Sequence, residues 1–120
     1  MKGLFLTTDL MFSSRVTGAA LAAGLALEVC MTPNRLLECC QATDVRLVLV
    51  DVTLPQLDLG ALIPLVRQRA PHAHLVAFGP HVDADILRQA AAAGCHEVLT
   101  RGQFNQTYAA LLKTHLTAPK

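Results

Sequence analysis

The run Leu47-Val48-Leu49-Val50, closed by Asp51, constrains this chain more than any other stretch. Four aliphatic residues stand in a row without polar alternation. A strand with one wet face alternates apolar and polar side chains. A continuous run belongs to a strand covered on both faces, as in a parallel sheet flanked by helices. Leu75-Val76-Ala77-Phe78 repeats the pattern, and Leu4-Phe5-Leu6 is a shorter version of it. A hydrophobic share of 52% and a mean hydropathy of +0.41 suit such a doubly covered sheet.

Helix-period stretches separate these runs. Phe12 to Ala23 reads as a helix stopped by Gly24, and Leu25 to Met31 as a weaker strand. Thr32-Pro33 is a capping residue followed by proline at the first helical position, opening a helix to about Cys40. A third helix spans roughly Gly60 to Ala70, where Pro64 predicts a late start or a kink. Asp83 or Asp85 opens a fourth helix that stops at Gly94, and Val98-Leu99 centres a fifth strand. The last helix begins near Phe104, carries Tyr108, Leu111, Leu112 and Leu116 on one face, and frays at the end. Parallel strands need crossover helices, and right-handed crossovers place them on both faces. The expectation is one domain over residues 1–120, with no separate output domain. Its class is α/β: a three-layer, doubly wound (βα)5 domain with a five-stranded parallel sheet, flavodoxin-like.

Composition excludes several functions. With 52% hydrophobic and 16% charged residues the chain is no disordered tail, and a net charge of +1 gives no sign of a nucleic-acid or anionic-membrane partner. Its longest weakly polar stretch, Thr17 to Leu27, ends at Glu28, short of the ~20 residues a membrane span needs. The apolar segment before Asp9 is too short for a signal-peptide core. Cys30, Cys39, Cys40 and Cys95 form no CxxC, and adjacent cysteines pair poorly. They read as reduced thiols of a cytoplasmic protein.

In a doubly wound sheet, ligands bind beyond the carboxyl ends of the strands. Thr7, Thr8 and Asp9 fall there after strand one, Asp51 and Thr53 after strand three, Gly79 and Pro80 after strand four, and Thr100 and Arg101 after strand five. Asp51 is either a functional carboxylate or a strand-end residue capping its own turn. His72 and His74 would face one way in a strand, but no third ligand stands nearby, so they read as ordinary histidines, as do His81, His96 and His115. No phosphate-binding glycine loop is present, and Thr7-Thr8 followed by Ser13-Ser14 lacks the glycine a flavin phosphate would need.

Leu47-Val48-Leu49-Val50-Asp51-Val52-Thr53-Leu54-Pro55 resembles the phosphoacceptor strand and loop of bacterial, CheY-like response-regulator receiver domains. Ala93-Gly94-Cys95-His96-Glu97-Val98-Leu99-Thr100-Arg101-Gly102-Gln103-Phe104 resembles that family's passage through strand five, and Gly24 falls at the glycine before strand two. The resemblance covers essentially the whole chain. It implies two-component or phosphorelay signalling in the cytoplasm, a non-enzymatic role, and protein partners such as a sensor kinase or an output protein.

The departures bear on mechanism. The family's two acidic residues after strand one correspond to Thr7 and Thr8, with Asp9 one residue late. Its Ser or Thr after strand four is Gly79, its lysine is Arg101, the proline after that is Gly102, and its aromatic switch position is Val98. One carboxylate with two hydroxyls is a poor magnesium site, so no cofactor is expected. Without the ion the charge on a transferring phosphoryl group loses its main stabilisation. Arg101 then either pairs with Asp51 as a standing ion pair or carries its guanidinium to solvent. The leading expectation is a degenerate, stand-alone receiver-like scaffold acting by protein–protein contact. The alternatives are a working phosphoacceptor at Asp51 and a small-ligand or nucleotide binder. Two surfaces are candidates for the contact. One is the first helix, which carries a single charge, Arg15, and exposes small residues around Leu21, suiting a homodimer. The other, implied by the resemblance, includes Arg88, Val98 and Tyr108.

Overall fold

The computed structural model describes residues 1–42 and 44–118. Strands β1 (Lys2–Leu6), β2 (Leu27–Cys30), β3 (Val45–Asp51), β4 (His74–Gly79) and β5 (Glu97–Thr100) alternate with helices α1 (Leu10–Ala22), α2 (Pro33–Cys39), α3 (Leu59–Arg69), α4 (Ala84–Ala93) and α5 (Arg101–Leu116). The strands form one parallel sheet in the order β2-β1-β3-β4-β5. This is the doubly wound (βα)5 architecture.

The apolar runs do what their composition requires. Leu47 to Val50 and Leu75 to Ala77 are fully buried. Their side chains alternate between two cores. Leu47, Leu49, Val76 and Phe78 meet Phe12, Val16, Phe104 and Leu112 of α1 and α5. Val48, Val50, Leu75 and Ala77 meet Leu36, Leu62, Ile63, Val66 and Ala90 of α2, α3 and α4. The aromatic rings gather on the first face, where Phe78 stacks on Phe104 at 3.9 Å between centroids.

Element ends follow local chemistry. Gly24 and Gly94 take positive φ just past α1 and α4, as stop signals should. Thr32 caps α2 through the Arg35 amide, with Pro33 in the first turn. Three helix starts differ from expectation. Helix α1 starts at Leu10 because Asp9 caps it, and α5 starts at Arg101 because Thr100 and Gln103 close a reciprocal capping box. Helix α3 starts early, at Leu59 under an Asp58 cap, and continues through Pro64 to Arg69. Burial of Leu62, Ile63 and Val66 against the sheet offsets the hydrogen bond that Pro64 cannot donate. Strand β2 is shorter than expected. The expected fraying falls partly on residues 119 and 120, outside the described residues.

Candidate functional site

The order β2-β1-β3 places the topological switch between β1 and β3. Leu6 pairs with Val50 in register, so Thr7 and Asp51 emerge side by side at the carboxyl ends. Their contact is direct: Thr7 Oγ1 donates to Asp51 Oδ2 at 2.7 Å. On the other oxygen, Oδ1, Asp51 accepts from Thr53 Oγ1 at 2.6 Å and from the Thr53 amide at 3.0 Å. Asp51 is 3% exposed and Thr7 1%. A carboxylate this buried is costly unless each oxygen is hydrogen-bonded, and here neutral donors satisfy both. Thr7 Oγ1 also accepts from the Asp9 amide at 3.1 Å, so one hydroxyl links the start of α1 to the end of β3.

Asp9 faces a different task. Its Oδ1 accepts from the Phe12 amide at 2.9 Å, capping α1, and its Oδ2 accepts from Arg101 at 2.6 Å. The Phe12 amide and then the Arg101 guanidinium hold its carboxyl below the usual range. The guanidinium carbon lies 5.1 Å from the centre of the Phe12 ring. Arg101 therefore neither pairs with Asp51 nor runs free to solvent. It is the first residue of α5, and α5 packs beside α1, so the carboxylate within reach is the one at the α1 N-terminus. Thr8 is exposed.

Gly79 closes β4 beside the Asp51 loop. A Cβ built there would lie 2.4 Å from Val52 Cγ2. The Val52 methyl thus fills the space that a Ser or Thr side chain would need, and Val52 is itself 3% exposed. Sequence reading passed over Val52, although an apolar residue directly after Asp51 and a glycine at the end of the adjacent strand were both visible. The donor set does not suit magnesium. That ion wants several hard oxygens in octahedral array, whereas Asp9 is committed to Arg101 and to its helix, and both oxygens of Asp51 already accept hydrogen bonds.

Solved structures resemble this chain throughout its length. The signal-receiver domain of an HD-domain-containing protein from Pseudomonas fluorescens superposes with a TM-score of 0.80 at 18% identity, covering 96% of this chain and 85% of that one. The receiver domain of a sensor histidine kinase from Pseudomonas aeruginosa, solved with magnesium coordinated in its active-site cleft, gives 0.79 at 12% identity over 98% of both. The chain has the receiver-domain fold. The beryllofluoride-activated NtrC4 receiver dimer gives 0.75 at 15% identity, over 94% of this chain and 97% of that one. No family model matches the sequence, and no curated protein matches it significantly.

On this receiver fold the candidate contact residues separate. Leu21 on α1 is 80% exposed, with Met11 and Leu10 also bare on the same helix. Arg88 is exposed and paired with Asp85. Val98 packs against the α4 side of the core. Tyr108 sits half-buried with its ring 6.0 Å from Phe104 and 6.4 Å from Phe12. Among the described residues no helix is long and apolar enough to cross a membrane.

Proposed function

We propose that this chain is a degenerate receiver-like signalling module that works by protein–protein contact and holds Asp51 as an internal fastener rather than a phosphoacceptor. The observation that carries this reading is the burial of Asp51 with both oxygens engaged by neighbours. Attack on a phosphoryl donor needs an accessible carboxylate oxygen in line with the phosphorus. Here Thr7 and Thr53 occupy both oxygens, and a second carboxylate to hold a metal is turned away to Arg101. The contact surface in this reading is the outer face of α1. Its bare Leu10, Met11 and Leu21 flank small residues, and a Cβ added at Gly18 would meet nothing within 4 Å, which leaves room for the backbone of a second copy.

The test is mass. Incubating the protein with acetyl phosphate and magnesium leaves the intact mass unchanged on this reading. A stable phosphoryl adduct on a major fraction, absent from Asp51→Asn, overturns it in favour of a working phosphoacceptor.

A further inference from the structure

The opposite end of the sheet carries a second cluster that the Asp51 site does not use. His74 opens β4, Glu97 opens β5, and His115 lies in the last turn of α5. Side chains alternate along a strand, so His74 shares a face with Val76 and Phe78, and Glu97 shares one with Leu99. Those residues face the core under α1 and α5. His115 follows Leu111 and Leu112 by four and three residues, which puts it on the helix face packed against the sheet. Three residues far apart in sequence thereby converge, and their ligand atoms lie within 4.8 Å of one another. His74 Nε2 is 2.5 Å from Glu97 Oε2. The His115 ring stacks on His74 at 4.1 Å, and the His96 ring lies 5.1 Å from His74.

We propose that His74, Glu97 and His115 form a zinc(II) site. Two imidazoles and a carboxylate are a donor set that zinc favours. Ligand distances of about 2.0–2.2 Å require donor atoms ~3.4 Å apart with each imidazole lone pair aimed at the ion, so the His115 ring, now parallel to that of His74, must turn out of the stack for both to ligate. The fourth position falls to water, since all three residues are partly exposed. His96 Nδ1 accepts from the Leu75 amide at 3.0 Å, which fixes that ring beside His74. Arg46 and the amino terminus, which border the same cavity as His115, are both engaged by Asp44. His72 lines the same cavity as His115 but is exposed and lies outside the ligand cluster, so the partner that His74 lacked in sequence comes from α5. A bound ion would tie the end of α5 to the start of β4 and β5. The cluster of Glu28, Cys30 and Cys39 is the weaker rival, because Lys2 and Arg35 already neutralise Glu28 and both thiols resist ionisation.

The test uses the tag-free protein stripped with chelator. Cobalt(II) titration should saturate at one equivalent with visible ligand-field bands but no thiolate charge-transfer band, and zinc(II) should displace it. Zinc should also raise the melting temperature. His115→Ala and the near-isosteric Glu97→Gln, each checked for fold by circular dichroism, should weaken binding by more than about tenfold, because even a lost second-shell partner costs that much. His72→Ala and Cys39→Ser should bind like the wild type. Absence of saturable binding below millimolar metal overturns the proposal. So does binding that survives in folded His115→Ala and Glu97→Gln, or that disappears in Cys39→Ser.

Discussion

Asp51 shows how the position of one side chain in a sheet dictates the chemistry of its neighbours. Its position after a fully buried strand is dictated by the sheet, and its burial then obliges the neighbours to supply donors. Thr7 and Thr53 do so with two hydroxyls and an amide. Val52 completes the closure by standing where a side chain on residue 79 would go. Placing a hydroxyl there as Gly79→Thr should therefore overpack the site and lower stability by about 1–3 kcal/mol in urea denaturation. Val52→Ala in the same chain should recover part of that loss. A neutral Gly79→Thr would mean that Val52 moves freely and the site is not closed. Position alone could not decide the partner of Arg101, because the choice between Asp51 and Asp9 depends on how α1 and α5 pack, which no local pattern records.

At the scale of elements, the strands were the most legible part. Unbroken aliphatic runs identify buried parallel strands, and the two helix-stopping glycines appear where the sequence puts them. The helix starts were less so. Asp9 and Thr100 read as strand-end residues, yet each caps a helix, and the capping box of α5 moves its start from near Phe104 to Arg101. Thr100 accepts from the Gln103 amide at 3.2 Å, and Gln103 Oε1 accepts from the Thr100 amide at 2.9 Å. Thr100→Ala removes the first bond and should lower stability by ~1 kcal/mol, read as a shifted denaturation midpoint with an unchanged slope. The zinc cluster was illegible for a further reason: its ligands come from three elements, and only the topology joins them. The outer face of α1 is the place to test self-association. Because Leu21 is 80% exposed, Leu21→Glu should leave stability within about 0.5 kcal/mol. It should also shift the sedimentation coefficient from dimer to monomer. A folded variant that sediments like the wild type removes α1 from the interface.

At the β2 edge of the molecule, charge adds a small, pH-dependent contribution. Glu28 accepts from Lys2 at 2.6 Å and Arg35 at 3.2 Å, and takes the Cys39 thiol at 3.0 Å. The Lys2 hydrogen bond and then that of Cys39 draw its carboxyl down to about 2. The folded value lies below the unfolded one, so the unfolded chain binds the extra proton as the solution acidifies. This contribution is whole above about pH 5 and is lost as pH falls toward 2. The pair is about one-third exposed, so Glu28→Gln should cost no more than ~1 kcal/mol at pH 7. The gap between variant and wild type in pH-dependent denaturation should shrink to nothing near pH 2. A gap that stays constant across that range would assign the effect to packing instead. The two faces of the sheet also differ in a way that makes the fold its own instrument. Tyr108 and all four phenylalanines lie on the α1 and α5 side, and all four cysteines lie on the α2 to α4 side. Near-ultraviolet dichroism therefore watches one layer, and thiol labelling watches the other. If the dichroism is lost and the thiols become reactive at the same denaturant concentration, the layers melt as one cooperative body; if the two part, the sheet outlives one of its coverings, and the probe that changes first names it.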